Sequence, residues 1–192
     1  MHMRKIILTE FVTLDGVMED PGGGSFKYAG WTWPYGNDEF MKFKSEELFA
    51  SDALLLGRVT YEGFAKSWPT MEGTGAFGEK MNSMIKYVVS DTLKTADWNN
   101  SHIIRGNVRE EVLKLKEESG KDILVNGSSE LAQTLMEHNM IDVYRLLVYP
   151  IVLGSGKHLF KEGVKIDLSL INVQSFTTGL VLLEYQAGKE DN

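Results

Sequence analysis

Cysteine is absent from this chain of 192 residues. Without thiol groups the protein can form neither a disulfide framework nor a thiolate metal site. Its four histidines do not pair with one another, or with carboxylates, at the spacing that metal ligands require. We therefore expect no metal in the functional site.

The chain also has no excess of basic residues. It contains 20 lysines and arginines and 27 aspartates and glutamates, which gives a net charge of −7. A nucleic-acid partner is not expected, since neutralising a phosphate backbone requires clustered lysine and arginine. A small phosphorylated ligand is still allowed, because it needs only a locally positive pocket.

Long apolar runs are missing as well. No segment approaches the ~20 residues of a membrane-spanning helix. No charged and then apolar leader precedes a small-residue cleavage site. We expect a cytoplasmic protein that does not bind membranes.

Strand-like and helix-like segments alternate along the chain. Strands are predicted where β-branched and apolar residues cluster, at 4–13, 53–56, 85–90, 101–105, 123–125 and 142–150. Helices are predicted at 38–50 with Asn37 as N-cap, at 79–84, at 108–118 and after Ser129. The segments 170–176 and 180–186 have the pattern of a β-hairpin. We predict one α/β domain over residues 1–192, with a mostly parallel central sheet, helices on both faces and an antiparallel C-terminal hairpin.

One strand is followed directly by residues that suit phosphate binding. The apolar run 54–56 ends in Gly57, Arg58 and, two residues later, Thr60. Glycine lets the backbone approach a ligand closely, arginine can fork onto phosphate oxygens, and the helix that follows points N–H groups at anions. The alternative is an ordinary strand-to-helix turn.

Two further glycine loops follow predicted strands. The first consists of Asn126, Gly127, Ser128 and Ser129, and the second of Leu153, Gly154, Ser155 and Gly156. Each is open to a simpler interpretation, N-capping by serine in the first and a tight turn in the second. Together the three loops could hold an extended ligand such as a dinucleotide, although no G-x-G-x-x-G follows the first strand.

Acidic and aromatic candidates are few. Asp15 lies in the turn after the first strand, and Asp38 begins the first predicted helix. Either carboxylate could serve as an acid or base, or simply stabilise an Asx-turn or a helix N-terminus. Trp31 and Trp33 lie in a glycine-rich loop, where they could stack on a planar heterocycle or pack the loop onto the domain.

Several motifs together resemble the dihydrofolate reductase-like superfamily. They are TLDG at 13–16, LLLGRVTYEGF at 54–64, KYVVSDTL at 86–93, ILVNGSSELAQTL at 123–135 and YPIVLGSGKHLF at 149–160, with Asn82 and Trp98 between them. Within that superfamily the chain looks like the reductase (C-terminal) domain of bifunctional riboflavin-biosynthesis deaminase/reductases.

The resemblance implies a three-layer fold and an NADPH-dependent transfer of hydride to a small heterocyclic or carbonyl substrate, as in 5-amino-6-(ribosylamino)pyrimidine reductases. It places Gly57, Arg58 and Thr60 on the cofactor's phosphates and Gly127, Ser128 and Ser129 on its pyrophosphate, with Asn126 as a further cofactor contact. It places Ser90 near the adenosine, Val12 and Thr13 beside the nicotinamide, and Leu153, Gly154, Ser155 and Gly156 near the cleft. Asp38, the nearest match to the acidic residue of folate reductases, or a water is the candidate proton donor. Asp15, Trp31 and Trp33 are candidate substrate contacts, and a homodimer is expected.

Two departures from the family pattern keep alternatives open. Asp91 follows Ser90 where many relatives carry a basic residue, and its carboxylate would repel a 2′-phosphate, so NADH is not excluded. Arg105 or Lys94 could supply the missing charge. A larger loop precedes Asp38 than in folate reductases, which makes dihydrofolate a weaker alternative substrate. A non-catalytic protein that binds a nucleotide or another ligand on the same fold is the other alternative.

Overall fold

The computed structural model describes residues 3–188, so residues 1, 2 and 189–192 of the predicted domain lie outside the described part. Within this range the strands are β1 (Ile6–Thr13), β2 (Ser51–Gly57), β3 (Ile85–Val89), β4 (Ser101–Ile104), β5 (Asp122–Asn126), β6 (Val143–Tyr149), β7 (Leu168–Ser175) and β8 (Val181–Ala187). The helices are α1 (Asp38–Ala50), α2 (Arg58–Ser67), α3 (Gly75–Ser83), α4 (Val108–Glu117) and α5 (Ser129–Glu137). Among the helices of residues 3–188, none combines the length and the apolar character that crossing a bilayer requires.

All eight strands join one sheet in the order β4-β3-β2-β5-β1-β6-β8-β7. The strands from β4 to β6 pair in parallel, and β8 pairs antiparallel with both β6 and β7. The predicted α/β fold, with its mostly parallel sheet and antiparallel C-terminal hairpin, is confirmed.

Helices cover both faces of the sheet, and the run 54–56 shows why its residues are all apolar. Leu54 and Leu56 pack into a cluster that includes residues of α1, α2 and α3. Leu55 points to the other face and packs with residues of α4 and α5. A strand that is buried on both faces needs apolar residues at every position rather than at every second one.

The ends of the elements follow local signals where those signals are strong. Helix α1 has the predicted bounds, and the side chain of Asn37 accepts a hydrogen bond from the backbone N–H of Phe40. Helix α3, in contrast, begins at Gly75, four residues before the predicted start. Gly75 and Gly78 are poor helix formers, so the sequence pattern did not reveal its first turn.

The chain changes direction across the sheet between β1 and β5. From β1 it passes through α1 on one face to β2, whereas from β5 it passes through α5 on the other face to β6 on the far side of β1. Two connections that leave neighbouring parallel strands in opposite directions open a crevice at the carboxyl ends of those strands. The fold therefore predicts a ligand site beside Thr9–Phe11 and Gly127.

Candidate functional site

A cleft of about 1530 Å³ lies at this position. Ligand sites usually measure ~300–1000 Å³, so the cleft has room for two small ligands. We divide it into three sections: a central section of residues 57–60 and 126–129, a helix section with Thr9, Phe11, Phe40, Lys44 and Phe64, and an edge section with Ser90, Asp91, Thr92 and Gly106.

The two glycine loops of the central section touch each other. The N–H of Gly57 donates to Oγ of Ser128 at 2.9 Å, and a Cβ on Gly57 would lie 3.3 Å from the Cβ of Ser128. Gly127 has φ of +57°, and a Cβ there would lie 3.1 Å from Oγ1 of Thr60. Glycine is needed at position 127 for both its backbone conformation and the close approach of the loops.

Helices α2 and α5 both begin in the central section, and in the described structure neither has a side-chain N-cap. Helices α1 and α4, in contrast, are capped by Asn37 and Asn107. The hydroxyl of Ser128 accepts from the N–H of Gly57 and donates to the carbonyl oxygen of Asn126. The backbone of Ser128 has a φ of +63°. The first-turn N–H groups and the positive ends of two helices are therefore directed at one volume, which suits an anion.

Glu10 is a carboxyl group at the switch point of the sheet, and only 3% of its surface is exposed. The backbone N–H of Gly127 lies near this carboxyl, and the buried Oε1 has no hydrogen-bond partner among residues 3–188. Burial raises the pKa of Glu10 well above its ordinary value, and the nearby N–H of Gly127 and the charge of Lys44 oppose this only in part. Burial therefore acts against the charged form of this group.

The helix section is mostly apolar but has a charged cluster at its base. Nζ of Lys44 contacts Oε2 of Glu47 and lies 3.3 Å from Oγ1 of Thr9. Oε1 of Glu47 accepts from Arg145 at 3.3 Å, and Nε of Arg145 donates to Glu184 at 2.7 Å. Glu47 and Lys44 both line the cleft, but the side chain of Glu47 is buried and its two oxygens are paired. Lys44 is therefore the member that has a proton to donate.

The two candidate tryptophans have different surroundings. Trp31 is buried, meets the ring of Tyr149 edge-on at 5.1 Å, and donates from Nε1 to the carbonyl oxygen of Glu19. Trp33 is 70% exposed and lines the cleft. Of the two, only Trp33 offers a ring face to a ligand.

Asp15 joins two of the predicted loops to each other. It accepts hydrogen bonds from the hydroxyl of Thr13 and from the N–H groups of Leu153 and Gly154. These bonds, that from Thr13 above all, lower the pKa of its carboxyl. The contacts fix the loop of residues 153–156 beside the turn that follows β1.

Asp38 is exposed on the first turn of α1. It does not appear among the residues that line the cleft, whereas Lys44, on the same helix, does. The role of proton donor for Asp38 stays a prediction.

The edge section is held together by hydrogen bonds within its own loop. The guanidinium of Arg105 donates to the carbonyl oxygens of Ser90, Asp91 and Leu93, at 3.2 and 3.0 Å for the first two. Oδ1 of Asp91 accepts from the N–H of Gly106 at 3.1 Å. Arg105 is thus committed to the backbone rather than directed at a ligand.

The structure brings only some of the predicted site residues together. Those that line the cleft are Gly57, Arg58, Thr60, Ser90, Asn126, Gly127, Ser128, Ser129 and Trp33. Those that do not are Val12, Thr13, Asp15, Trp31, Asp38, Leu153, Gly154, Ser155 and Gly156. Their individual roles stay predictions.

Sequence reasoning missed four residues of the site, Glu10, Lys44, Glu47 and Arg145. A signal was present for Glu10, because it is the one charged residue of an otherwise uncharged and mostly apolar strand. No local signal marks the others, since Glu47 and Arg145 are 98 residues apart in the chain.

Comparison with known proteins gives matches over nearly the whole chain. The model of the RibD C-terminal domain family matches residues 4–182. The uncharacterised protein YyaP of Bacillus subtilis (strain 168) is 33% identical over 189 residues, which cover 96% of each chain.

Two solved structures carry the same fold. The first is a diaminohydroxyphosphoribosylaminopyrimidine deaminase/5-amino-6-(5-phosphoribosylamino)uracil reductase of Thermotoga maritima, with a TM-score of 0.67, 17% identity, and a match covering 97% of this chain and 57% of that one. The second is the dihydrofolate reductase of Enterococcus faecalis complexed with NADP(H) and RAB-propyl, with a TM-score of 0.58, 15% identity, and a match covering 96% of this chain and 97% of that one. At these identities the likeness concerns the fold, which is dihydrofolate reductase-like as predicted.

Proposed function

The chain belongs to the RibD C-terminal domain family, and we propose that it is a reductase that uses NADPH to transfer hydride to a small heterocyclic or carbonyl substrate. Membership of the family confirms the resemblance predicted from the motifs. The Thermotoga maritima protein is named as a uracil reductase, which supports a pyrimidine-like heterocycle as substrate. The observation that carries the proposal is the meeting of two glycine loops and two helix N-termini at the switch point of the sheet.

The central section fits a pyrophosphate. Side chains at Gly57 and Gly127 would fill the space between the loops, and the first-turn N–H groups of α2 and α5 are directed at it. Arg58 forms an exposed ion pair with Glu62 at 2.8 Å. Such a pair is worth little, so the guanidinium is free to turn to a phosphate, with the Thr60 hydroxyl beside it.

We assign the remaining cofactor contacts as the resemblance implies, with Ser90 at the adenosine end and Val12 and Thr13 beside the nicotinamide. NADP(H) in the Enterococcus faecalis reductase supports NADPH over NADH. Asp91 acts against a 2′-phosphate, although its carboxylate is already hydrogen-bonded to Gly106. When bound, the dihydronicotinamide supplies the hydride.

The helix section is proposed to hold the substrate. Its apolar walls and the exposed ring of Trp33 suit a flat, uncharged ring. Lys44 is the proposed proton donor: its ammonium gives one proton to the nitrogen or oxygen of the C=N or C=O group whose carbon receives the hydride. Water then returns a proton to Lys44.

The exposed residues Leu170, Ile171 and Val173 on β7 support the expected homodimer. Within the part of the sheet that the structure describes, no strand pairs with the outer edge of β7. An exposed apolar edge strand is a surface on which a second copy can pair.

The function is tested by titrating the protein with NADPH and NADH while tryptophan fluorescence is recorded. Trp33 and Trp68 line the cleft, so a bound dinucleotide is expected to change their emission. NADPH oxidation is then followed with cyclic imines, carbonyl compounds, aminopyrimidines and dihydrofolate. If neither dinucleotide binds at millimolar concentration, the proposal is wrong. Binding without turnover of any compound would favour a nucleotide-binding protein instead.

Replacing Gly127 by alanine is expected to weaken NADPH binding at least about tenfold. A residue other than glycine at a positive φ costs ~1–2 kcal/mol, and the new Cβ would meet Thr60 at 3.1 Å. The loop must move, and its N–H groups move with it. Gly63→Ala is the matched control, because Gly63 also lines the cleft but a Cβ there meets nothing within 4 Å. Equal affinity for NADPH in the two variants would contradict the assignment.

A further inference from the structure

One side of the helix section is a groove with apolar side chains from three helices and the segment between two of them. We call it the apolar groove, and the cleft-lining residues that define it are Met41, Phe64, Trp68, Met71 and Phe77. Met41 and Met71 are each 46% exposed, which is unusual for side chains of this size and apolar character. Exposed apolar side chains that gather inside a ligand cleft, rather than singly on the surface, indicate contact with an apolar ligand group.

Three neighbouring aromatic rings form the α2 and α3 side of this groove. The ring centroids of Phe64 and Trp68 are 6.3 Å apart, and those of Trp68 and Phe77 are 5.5 Å apart. All three rings are partly buried and pack against a cluster that contains Leu48 and Met81. The rings therefore present one continuous surface that is supported from below, and such a surface suits a further aromatic ring.

Helix α1 connects the apolar groove to the proposed proton donor. Met41, Lys44 and Leu48 have the i, i+3, i+7 spacing of one helix face, and all three line the cleft. Three residues correspond to a rise of about 4.5 Å along the helix axis, which is less than one turn between Met41 and Lys44. A group attached to a ring that is bound next to Lys44 can therefore reach the groove without leaving the cleft.

The charged groups in this part of the cleft already have partners or an assigned ligand. Among the cleft-lining residues from 40 to 81, all of which the structure describes, the charged ones are Lys44, Glu47 and Arg58. Lys44 and Glu47 pair with each other, and Arg58 is assigned to the cofactor. The other cations of the cleft belong to the segment 157–161 after β6, not to the helices that form the groove. A phosphate in the groove would lack a free cation as its partner, which is costly.

We infer that the substrate carries an uncharged aromatic substituent, of about the size of a benzyl group, which lies in the apolar groove while the reacting ring is next to Lys44. The inference rests on the proposed function, in which the helix section holds the substrate. It separates this substrate from the phosphoribosyl compound in the name of the Thermotoga maritima reductase.

The test compares ligands on the protein saturated with NADPH, and calorimetry measures their affinities. Uracil is the reference, three benzyluracils carry the benzyl group on different ring atoms, and uridine 5′-phosphate carries a sugar phosphate instead. At least one benzyluracil is expected to bind about tenfold more tightly than uracil, and uridine 5′-phosphate no more tightly than uracil. A tenfold gain requires the burial of roughly 55 Å² of apolar surface, well below the ~150–250 Å² that an aromatic side chain can bury.

A double variant, Met41→Gln with Met71→Gln, removes apolar character from the groove. Glutamine keeps the length of methionine but adds a polar amide, and both positions are exposed, so the fold should be little affected. The affinity for the best benzyluracil is expected to fall about fivefold, while that for uracil stays within about twofold. Phe49→Gln is the matched control and should leave both affinities unchanged, because Phe49 is on the same helix as Met41, is 45% exposed and does not line the cleft.

Four results would overturn the inference. They are equal affinity for uracil and every benzyluracil, absence of binding by all benzyluracils, tightest binding by uridine 5′-phosphate, and the same loss in Phe49→Gln as in the double variant. If the double variant changes subunit association instead of affinity, the groove is a contact with a second copy and the inference is wrong. If the double variant fails to fold, the ligand series still decides. Failure of NADPH to bind contradicts the proposed function, whereas binding of NADPH together with any of the four results contradicts the inference alone.

Discussion

Replacing Lys44 by methionine is expected to lower kcat about 100-fold or more while the affinity for NADPH stays close to that of the wild type. A positioned proton donor typically contributes 10²–10⁴-fold, roughly, to a rate. Lys44 is the cation of the helix section, and Glu47 and Thr9 hold its ammonium group in place. The cofactor phosphates are assigned to the central section, so binding of NADPH should be little affected. The measurement is steady-state turnover of whichever compound the substrate panel identifies, together with an NADPH titration.

Asp38→Asn is the matched control, because it tests the donor that the resemblance implies. Asp38 is exposed and does not line the cleft, so we expect its replacement to change kcat less than about threefold. Lys44→Arg keeps the charge but cannot give up a proton, so it should lower kcat with little change in KM. Normal turnover in Lys44→Met, combined with a large loss of kcat in Asp38→Asn, would show that Asp38 rather than Lys44 is the proton donor.

Positions 38 and 44 show what a sequence can reveal about a helix and what it cannot. The start of α1 was predicted because Asn37 is a local signal, an N-cap whose side chain bonds the first turn. Which residue of α1 reaches a cleft depends instead on how the helix is rotated against the sheet. Six residues place Asp38 and Lys44 about 120° apart around the axis, and α1 has too weak an apolar face to predict its rotation.

The sheet likewise has features that local sequence predicts and features that depend on the order of its strands. The run 54–56 predicts a strand buried on both faces, and the structure confirms it because α1–α3 and α4–α5 cover opposite sides. The glycine loops after β2 and β5 were also visible, since the carboxyl ends of parallel strands share one edge of a sheet. That the loops touch through Gly57 and Ser128 follows from β2 lying beside β5, an order that no local pattern contains.

Tryptophans 31 and 33 were indistinguishable in the sequence. Both are in the same glycine-rich loop, and both suit either stacking on a ligand or packing the loop. Packing against Tyr149 buries Trp31 and leaves Trp33 exposed at the cleft. The difference depends on contacts with β6, more than 100 residues further along the chain, so it could be found only in the fold.

Replacing Arg145 by methionine is expected to lower the free energy of unfolding by about 3–5 kcal/mol, the usual cost of removing one partner from a buried ion pair. Arg145 on β6 lies between Glu47 on α1 and Glu184 on β8 and forms an ion pair with each. The side chain of Glu47 is 1% exposed, so without Arg145 its only remaining charged contact in the described structure is Lys44. A carboxylate that cannot reach water must be left partly uncompensated or become protonated, and either costs stability. Urea unfolding at neutral pH measures the loss.

Lys42→Met provides the surface counterpart on the same helix as Glu47. Lys42 and Glu46 form an exposed pair at 3.9 Å, which should contribute less than about 1 kcal/mol. Equal losses of unfolding free energy in Arg145→Met and Lys42→Met would show that burial of the Arg145 cluster has no special cost.

If the double replacement Arg145→Met and Glu47→Leu is more stable than Arg145→Met alone, the cost lies in the isolated carboxylate rather than in lost packing. Because the double variant also leaves Lys44 without Glu47 and Glu184 without Arg145, it is expected to regain only part of the stability while it loses turnover, which separates the structural role of the cluster from its catalytic one.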